Sequence, residues 1–237
     1  MSKLIIYDLD GTLIDSRRDI VQAVNWTLEQ LGFSTLPSDR ICTFVGNGVK
    51  NLMQQVLTDV GAGPCACPES VEDQRIGQPR GVAPTLEKSI KLFRQRYGEH
   101  LLDETRLYPA VAKVLEFFKQ KKQAVITNKP EDFSVRILQG LGIDSYFFSV
   151  VGGDNAFRKK PAPEAVFEIL RRAEVSRENA VLVGDTDIDV QTGRNAGIKT
   201  IGVTYGFGKS DELKKAEPDY LLNDLEELIT CPLLQTR

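Results

Sequence analysis

The chain has 237 residues, 41 % of them hydrophobic and 27 % charged, with a net charge of −3 and a pI near 5.4. That length suits one domain or a core with an insertion, and the balance is that of an ordinary globular protein. The slight acidity and scattered Lys/Arg residues exclude a basic nucleic-acid-binding stripe, and no run approaches the roughly 20 apolar residues of a membrane helix.

The first apolar run is broken by acid after Tyr7, short of the roughly 7–15 residues of a signal peptide, so a cytoplasmic location is expected. Cys42, Cys65, Cys67 and Cys231 lack zinc-site spacing, and the single histidine, His100, cannot complete a ligand set; reduced thiols are expected.

Leu4–Leu9 reads as a buried strand that runs into Asp8, Asp10 and Gly11. From Asp19 to about Leu102 no strand pattern occurs. Instead "DIVQAVNWTLEQLG", "NGVKNLMQQVLTDVG" and "TLEKSIKLFRQRYGEHL" carry apolar residues at helical spacing. Between the last two lies a Gly- and Pro-rich stretch, 61–84, expected to be a mobile loop. After residue 105 strands and helices alternate. Helices are expected over Ala110–Lys121, Pro130–Gly142, Glu164–Ala173 and Asp187–Gly197, and strands near 123–127, 146–153, 180–185, 199–203 and 219–222. This alternation predicts a doubly wound parallel α/β sheet with helices on both faces and a helical domain inserted after the first strand. The boundaries read as 1–15 with 105–237 for the core and 16–104 for the insert. An insert there would sit over the C-terminal edge of strand 1, where such sheets bind ligands.

Two strand ends are loaded with acid: Asp8 and Asp10 in "DLDG", and Asp185, Asp187 and Asp189 in "VLVGDTDIDVQTG". Helix capping would explain Asp187 but not the pair Asp8/Asp10. Carboxylates gathered at strand ends suit a hard divalent cation, with Mg²⁺ the expected ion and the charge that compensates their repulsion. Two other strand ends supply Thr127 and Asn128, then Lys159 and Lys160. A turn would account for the first pair and surface polarity for the second. Together the four ends offer metal ligands, phosphate binders and a nucleophile.

"DLDGTLID", "ITNKPE", "KKPAPE" and "VGDTDIDVQTGRNAG" resemble, in order, the four motifs of the haloacid dehalogenase superfamily across nearly the whole chain. "FVGNGVKNL", "LYP" and "ITNKPEDF" are most similar to its phosphoglycolate phosphatase branch, which carries a helical cap in this position. The resemblance implies that Asp8 is a nucleophile forming an aspartyl-phosphate and that Asp10 is the general acid and base. It implies a Mg²⁺ held by the Asp8 carboxylate, the Asp10 backbone carbonyl and Asp185. Thr127, Asn128 and Lys160 would bind the phosphoryl oxygens. Asp189 would orient Lys160 or a metal-bound water, and Asp187 has no counterpart.

The activity implied is hydrolysis of a small phosphomonoester by a monomer or homodimer, with no nucleic-acid or membrane partner. A phosphomutase resembling β-phosphoglucomutase, a pyrophosphatase and a nucleotidase are the alternatives, and a non-enzymatic phospho-acceptor lacks the second acid and the cap. Gly46, Asn47, Gly48 and Lys50 are expected on the substrate side of the cap: the glycines allow close approach, and helix amides with Lys50 favour an anion. A plain interhelical turn is the alternative there.

Overall fold

Strand β1 (Leu4–Tyr7) pairs in parallel on both sides, with β4 (Lys122–Ile126) and with β6 (Ala180–Gly184), so its alternating side chains must fill two cores. Leu4 and Ile6 pack with α7 (Glu164–Ala173) and with Ala196 of α8 (Asp187–Ala196). Ile5 and Tyr7 face the other way, toward α5 (Val111–Phe117), α6 (Glu131–Gly140) and a 3₁₀ turn at Leu225–Thr230. All four side chains are fully buried, each stabilising the fold by roughly 1.5–3 kcal/mol through loss of water contact. In this computed structural model, residues 3–61 and 86–235 are described, so the loop expected over 61–84 lies outside them apart from Gly61.

The sheet order is β5-β4-β1-β6-β7-β8, where β5 is Ser149–Val151, β7 Lys199–Val203 and β8 Tyr220–Leu222. Every pairing is parallel. This is the doubly wound sheet expected, with α9 (Ser210–Lys215) completing the helices. The central strands are shorter than the sequence predicts. They end at Tyr7, Ile126 and Gly184, one or two residues early, because the next residues, Asp8, Thr127 and Asp185, turn toward a shared cavity. The run 146–153 pairs only over Ser149–Val151, after a 3₁₀ turn at Asp144–Tyr146.

Among the described residues the helical insert carries α1 (Arg17–Gln30), α2 (Ser38–Cys42), α3 (Val49–Asp59) and α4 (Leu86–Glu99). Buried Ile20, Ala23, Val24 and Leu28 form one face of α1, and Phe93 and Tyr97 one face of α4. α1 packs on α4 and α2, and α4 on α3. The chain enters and leaves through a two-residue antiparallel ribbon, β2 (Ile14–Asp15) with β3 (Arg106–Leu107), too short to give a period in the sequence. Buried Asp19 clamps the two crossings together. Its carboxylate accepts from the Glu104 and Thr105 amides (3.0 and 2.8 Å) and from Thr105 Oγ1 (2.7 Å). Among the described residues no helix is long and apolar enough to cross a membrane.

Candidate active site

The C-terminal ends of β1, β4 and β6 are neighbours in the sheet, so the loops after them converge beneath the helical insert. There they enclose a cavity of about 620 Å³ lined by Asp8, Asp10, Thr127, Asn128, Lys160 and Asp185, with Gly46, Asn47 and Gly48 from the insert. Lys50 is exposed and is not among its lining residues, whereas Arg17 and Arg18 are. Asp187 also lines the cavity but is exposed, on the first turn of α8.

Lys160 is buried with two carboxylates. Its Nζ donates to Asp189 Oδ1 at 2.6 Å and lies 2.7 Å from Asp8 Oδ1. Burial opposes a charge on Lys160, but Asp189 and Asp8 outweigh it and raise its pKa. Lys159 is exposed, and its Nζ lies where a side chain on Gly48 would have to go.

Asp189 does two things at once. Its second oxygen accepts from Thr186 Oγ1 (2.6 Å) and the Thr186 amide (3.1 Å), closing the capping box that starts α8. Both oxygens are therefore engaged, which suits a residue that orients Lys160.

Asp185 is fixed differently. Thr12 Oγ1 donates to Oδ1 (3.1 Å), and the Phe207 and Gly208 amides donate to Oδ2 (2.7 and 3.0 Å). Gly11 and Gly206 press against it so closely that a Cβ on either would overlap its carboxylate. Gly11 also has φ +87°, a conformation that favours glycine.

Asp8, Asp185 and Asp189 each present an oxygen within 4.8 Å of the others, all buried. Asp8 Oδ1 is buried and accepts no aligned hydrogen bond, despite the nearby ammonium. Burial first, then the neighbouring carboxylates, pushes the Asp8 pKa up against the pull of Lys160, and burial with Asp189 raises that of Asp185. Four carboxylates, Asp8, Asp10, Asp185 and Asp189, share the site with two ammonium groups, Lys160 and Lys129. The excess of these carboxylates over the two ammonium groups and the all-oxygen donor set fit a divalent hard cation.

Asn128 is a strut between loops. Its Nδ2 donates to the Gly46 carbonyl (2.9 Å) and the Lys160 carbonyl (3.3 Å), and its Oδ1 accepts from the Lys160 amide (3.0 Å). The Thr127 hydroxyl oxygen accepts from the Lys129 amide at 3.2 Å. The sequence pattern does not single out Lys129, although it shares with Lys160 the position just before a proline, which restricts the backbone to extended conformations. Lys129 Nζ contacts Asp10, as Lys160 contacts Asp8, so the cation anticipated from the acid pairs is not their sole compensation.

Residues 5–203 match the family described as "Haloacid dehalogenase-like hydrolase". The chain belongs to that family. It is 34 % identical over 229 residues to a phosphoglycolate phosphatase of Aquifex aeolicus (strain VF5), covering 96 % of this chain and 95 % of the relative. The phosphoglycolate phosphatase of Colwellia psychrerythraea is 33 % identical over 230 residues, with the same coverage. Among solved structures, a "predicted phosphoglycolate phosphatase" from Haemophilus somnus 129PT superposes with a TM-score of 0.84 at 28 % identity, covering 97 % of each chain. The chain is thus a haloacid dehalogenase phosphatase similar to the phosphoglycolate phosphatase branch, an enzyme of the phosphoric monoester hydrolase class.

Proposed function

We propose that the protein hydrolyses a small phosphomonoester of the phosphoglycolate kind through a phosphoryl group carried on Asp8. The observation that carries this reading is the Asp8 carboxylate, buried at the end of a fixed central strand, paired with Lys160 at 2.7 Å and lining the cavity. A carboxylate that lines the cavity beside a fixed ammonium is placed to attack a phosphorus bound there. Its placement on a strand end, rather than a loose loop, favours a reproducible line of attack.

Lys160 supplies positive charge where the phosphoryl oxygens gather in the transition state, and Asp189 holds it there. The Thr127 hydroxyl donates to another phosphoryl oxygen, and Asn128 fixes the loops that carry Lys160 and Gly46. Asp10 protonates the leaving oxygen and afterwards takes the proton of the water that releases phosphate from Asp8. Asp8, Asp185 and the Asp10 backbone carbonyl would hold Mg²⁺, which supplies the charge that lets an anionic carboxylate meet a phosphate dianion.

Residues 16–104 act as a cap over a core of 1–15 and 105–237, and the cap's Gly46–Gly48 loop meets the part of the substrate away from phosphorus. A cavity of this size suits a small organic phosphate. The test is turnover of purified protein against a panel of phosphometabolites, phosphoglycolate included, with Mg²⁺ and with EDTA. Release of phosphate from small monoesters, lost in EDTA and abolished by Asp8→Asn, is the expected result. Equal turnover by Asp8→Asn would overturn the reading.

A further inference from the structure

Lys129 is nearly as buried as Lys160, yet the reaction described above gives it no task. An ammonium has three hydrogens. Lys129 Nζ spends them on Asp10 Oδ1 (2.7 Å), Asp10 Oδ2 (2.9 Å) and the Tyr97 hydroxyl (2.8 Å). None is left over for a phosphoryl oxygen in this arrangement, so the two buried lysines divide the work, Lys160 at Asp8 and Lys129 at Asp10. Ser16 Oγ also donates to Asp10 Oδ1, at 2.5 Å. The Asp10 carboxylate is therefore held in one orientation by partners from two elements.

Tyr97 gives this arrangement its reach. It belongs to α4 of the helical insert, and Lys129 follows β4 of the sheet. The Tyr97 ring stacks on Phe93 of its own helix (centroids 5.4 Å apart) and meets the edge of Phe133 of α6 (5.5 Å). Around that ring α4 is seated directly on α6. Arg136 donates to the Gly98 carbonyl at 2.6 Å, and a Cβ on Gly98 would come within 3.2 Å of the Phe133 ring. The Tyr97 hydroxyl can reach Lys129 only while α4 is docked in this way.

We propose that Lys129 is the positioning residue for Asp10 and that Tyr97 makes this positioning depend on docking of the insert. When α4 is seated, Tyr97 holds the ammonium and the ammonium holds both oxygens of Asp10 toward the cavity. When α4 lifts away, Lys129 loses Tyr97, its one partner outside Asp10, and its hold on the Asp10 carboxylate slackens. The acid and base would then be set only over an enclosed substrate, which protects the phosphorylated Asp8 from an untimed water. The inference rests on the assignment of Asp10 as acid and base, so its test must separate the two.

The experiment compares Asp10→Asn, Lys129→Met, Tyr97→Phe and the Asp10→Asn/Lys129→Met double variant, each with phosphoglycolate and with p-nitrophenyl phosphate under saturating Mg²⁺. Far-UV circular dichroism and thermal melts establish folding. An alkoxide leaving group needs a proton and p-nitrophenolate does not, so loss of a working acid costs about 10²–10⁴-fold for the first substrate. For the second it leaves a burst of about one p-nitrophenolate per site before a slow steady state.

Lys129→Met is expected to reproduce the Asp10→Asn pattern at about 10-fold or more in kcat, with KM little changed. The double variant should be no slower than Asp10→Asn alone, since residues that act as a unit are non-additive. Tyr97→Phe, which keeps the ring packing, should lower kcat about 3–10-fold for phosphoglycolate with the same burst.

If Asp10→Asn gives no burst and equal losses for both substrates, the acid/base reading of Asp10 falls and the proposal with it. If Asp10→Asn behaves as stated but Lys129→Met raises KM for both substrates and its loss adds in the double variant, Lys129 binds phosphate and the proposal is overturned. If Lys129→Met unfolds, the double variant, which also removes the unpaired Asp10 charge, supplies the comparison; slower turnover than Asp10→Asn alone overturns the proposal. Full activity of Tyr97→Phe would remove the dependence on the docked insert.

Discussion

Asp189 reaches back 29 residues to accept a hydrogen bond from Lys160 Nζ at 2.6 Å, and so keeps that ammonium 2.7 Å from Asp8 Oδ1. Because the other Asp189 oxygen closes the capping box of α8, the start of a helix and the placement of the Lys160 ammonium are one structural fact.

Removing either partner should therefore disturb chemistry and folding in different proportions. Lys160→Ala leaves Asp8 and Asp189 buried without their cation, and breaking a buried pair this way costs roughly 3–5 kcal/mol. A melting temperature well below wild type in EDTA, partly restored by Mg²⁺, is expected, with turnover reduced about 10³-fold. Asp189→Asn retains a capping oxygen and should melt closer to wild type, yet lose about 10-fold or more in kcat as Lys160 drifts. Denaturation curves alongside steady-state rates would reveal the opposite outcome, a stable Lys160→Ala protein with normal turnover.

Metal-free stability should fall as pH rises. Burial raises the Asp8 and Asp185 pKa values to about 8 and about 6, above the ordinary carboxylate value near 3.8. In the folded state these acids hold protons that the unfolded chain has released. Their contribution is thus fully present below about pH 4 and disappears as pH passes through 6 and then 8. Melting scans in EDTA should show a decline from pH 5 to 8.5 that saturating Mg²⁺ suppresses. Asp8→Asn should flatten the EDTA profile and raise its alkaline end, since a neutral amide has no charge to desolvate. A wild-type EDTA profile that is flat or rises with pH would contradict burial of these two carboxyls as the cause.

Much of this was legible in the sequence because the strongest signals were local. A buried apolar run such as Leu4–Tyr7 that stops at acid marks a strand end whatever the rest of the chain does, and Asp8, Thr127 and Asp185 after β1, β4 and β6 mark where the cavity lies. Lys129 and Tyr97 were not legible because their roles arise from contact between segments 32 residues apart, one helical and one a loop. Tyr97 in a helical apolar face looks like any core residue. The two-residue ribbon of β2 and β3 carries no period at all. Lys50 was misplaced for a related reason: it shares the loop of Gly46 and Gly48 in sequence, but one further residue of helix rotates its side chain into solvent.

The Asp19 clamp should govern the insert as a unit. Asp19→Ala removes the acceptor from the Glu104 and Thr105 amides and the Thr105 hydroxyl, leaving the buried Thr105 donors unpaired at roughly 1–3 kcal/mol each. Hydrogen exchange should speed up first at residues 16–19 and 104–107, before the sheet. Uniform acceleration across the whole chain would mean the clamp belongs to the global core rather than to the crossing.

Gly11 offers the sharpest separation between backbone strain and loss of the metal site. At φ +87°, an alanine there would be strained by roughly 1–2 kcal/mol, and its Cβ would also overlap the Asp185 carboxylate. Gly32 supplies the control, since it has φ +80° but nothing within 4 Å of the position its Cβ would take. Both substitutions should lower the denaturant midpoint through the same kind of backbone strain, Gly11→Ala by more because its Cβ also displaces the Asp185 carboxylate. Only Gly11→Ala should move Asp185 away from the Thr12, Phe207 and Gly208 donors that aim it into the site. The Mg²⁺-induced rise in melting temperature should then shrink or vanish in Gly11→Ala and persist in Gly32→Ala, with turnover following the same division. A Gly11→Ala protein that keeps the full Mg²⁺ stabilisation would show that Asp185 is not needed to hold the ion, and the ligand set would have to be redrawn around Asp8 and Asp189.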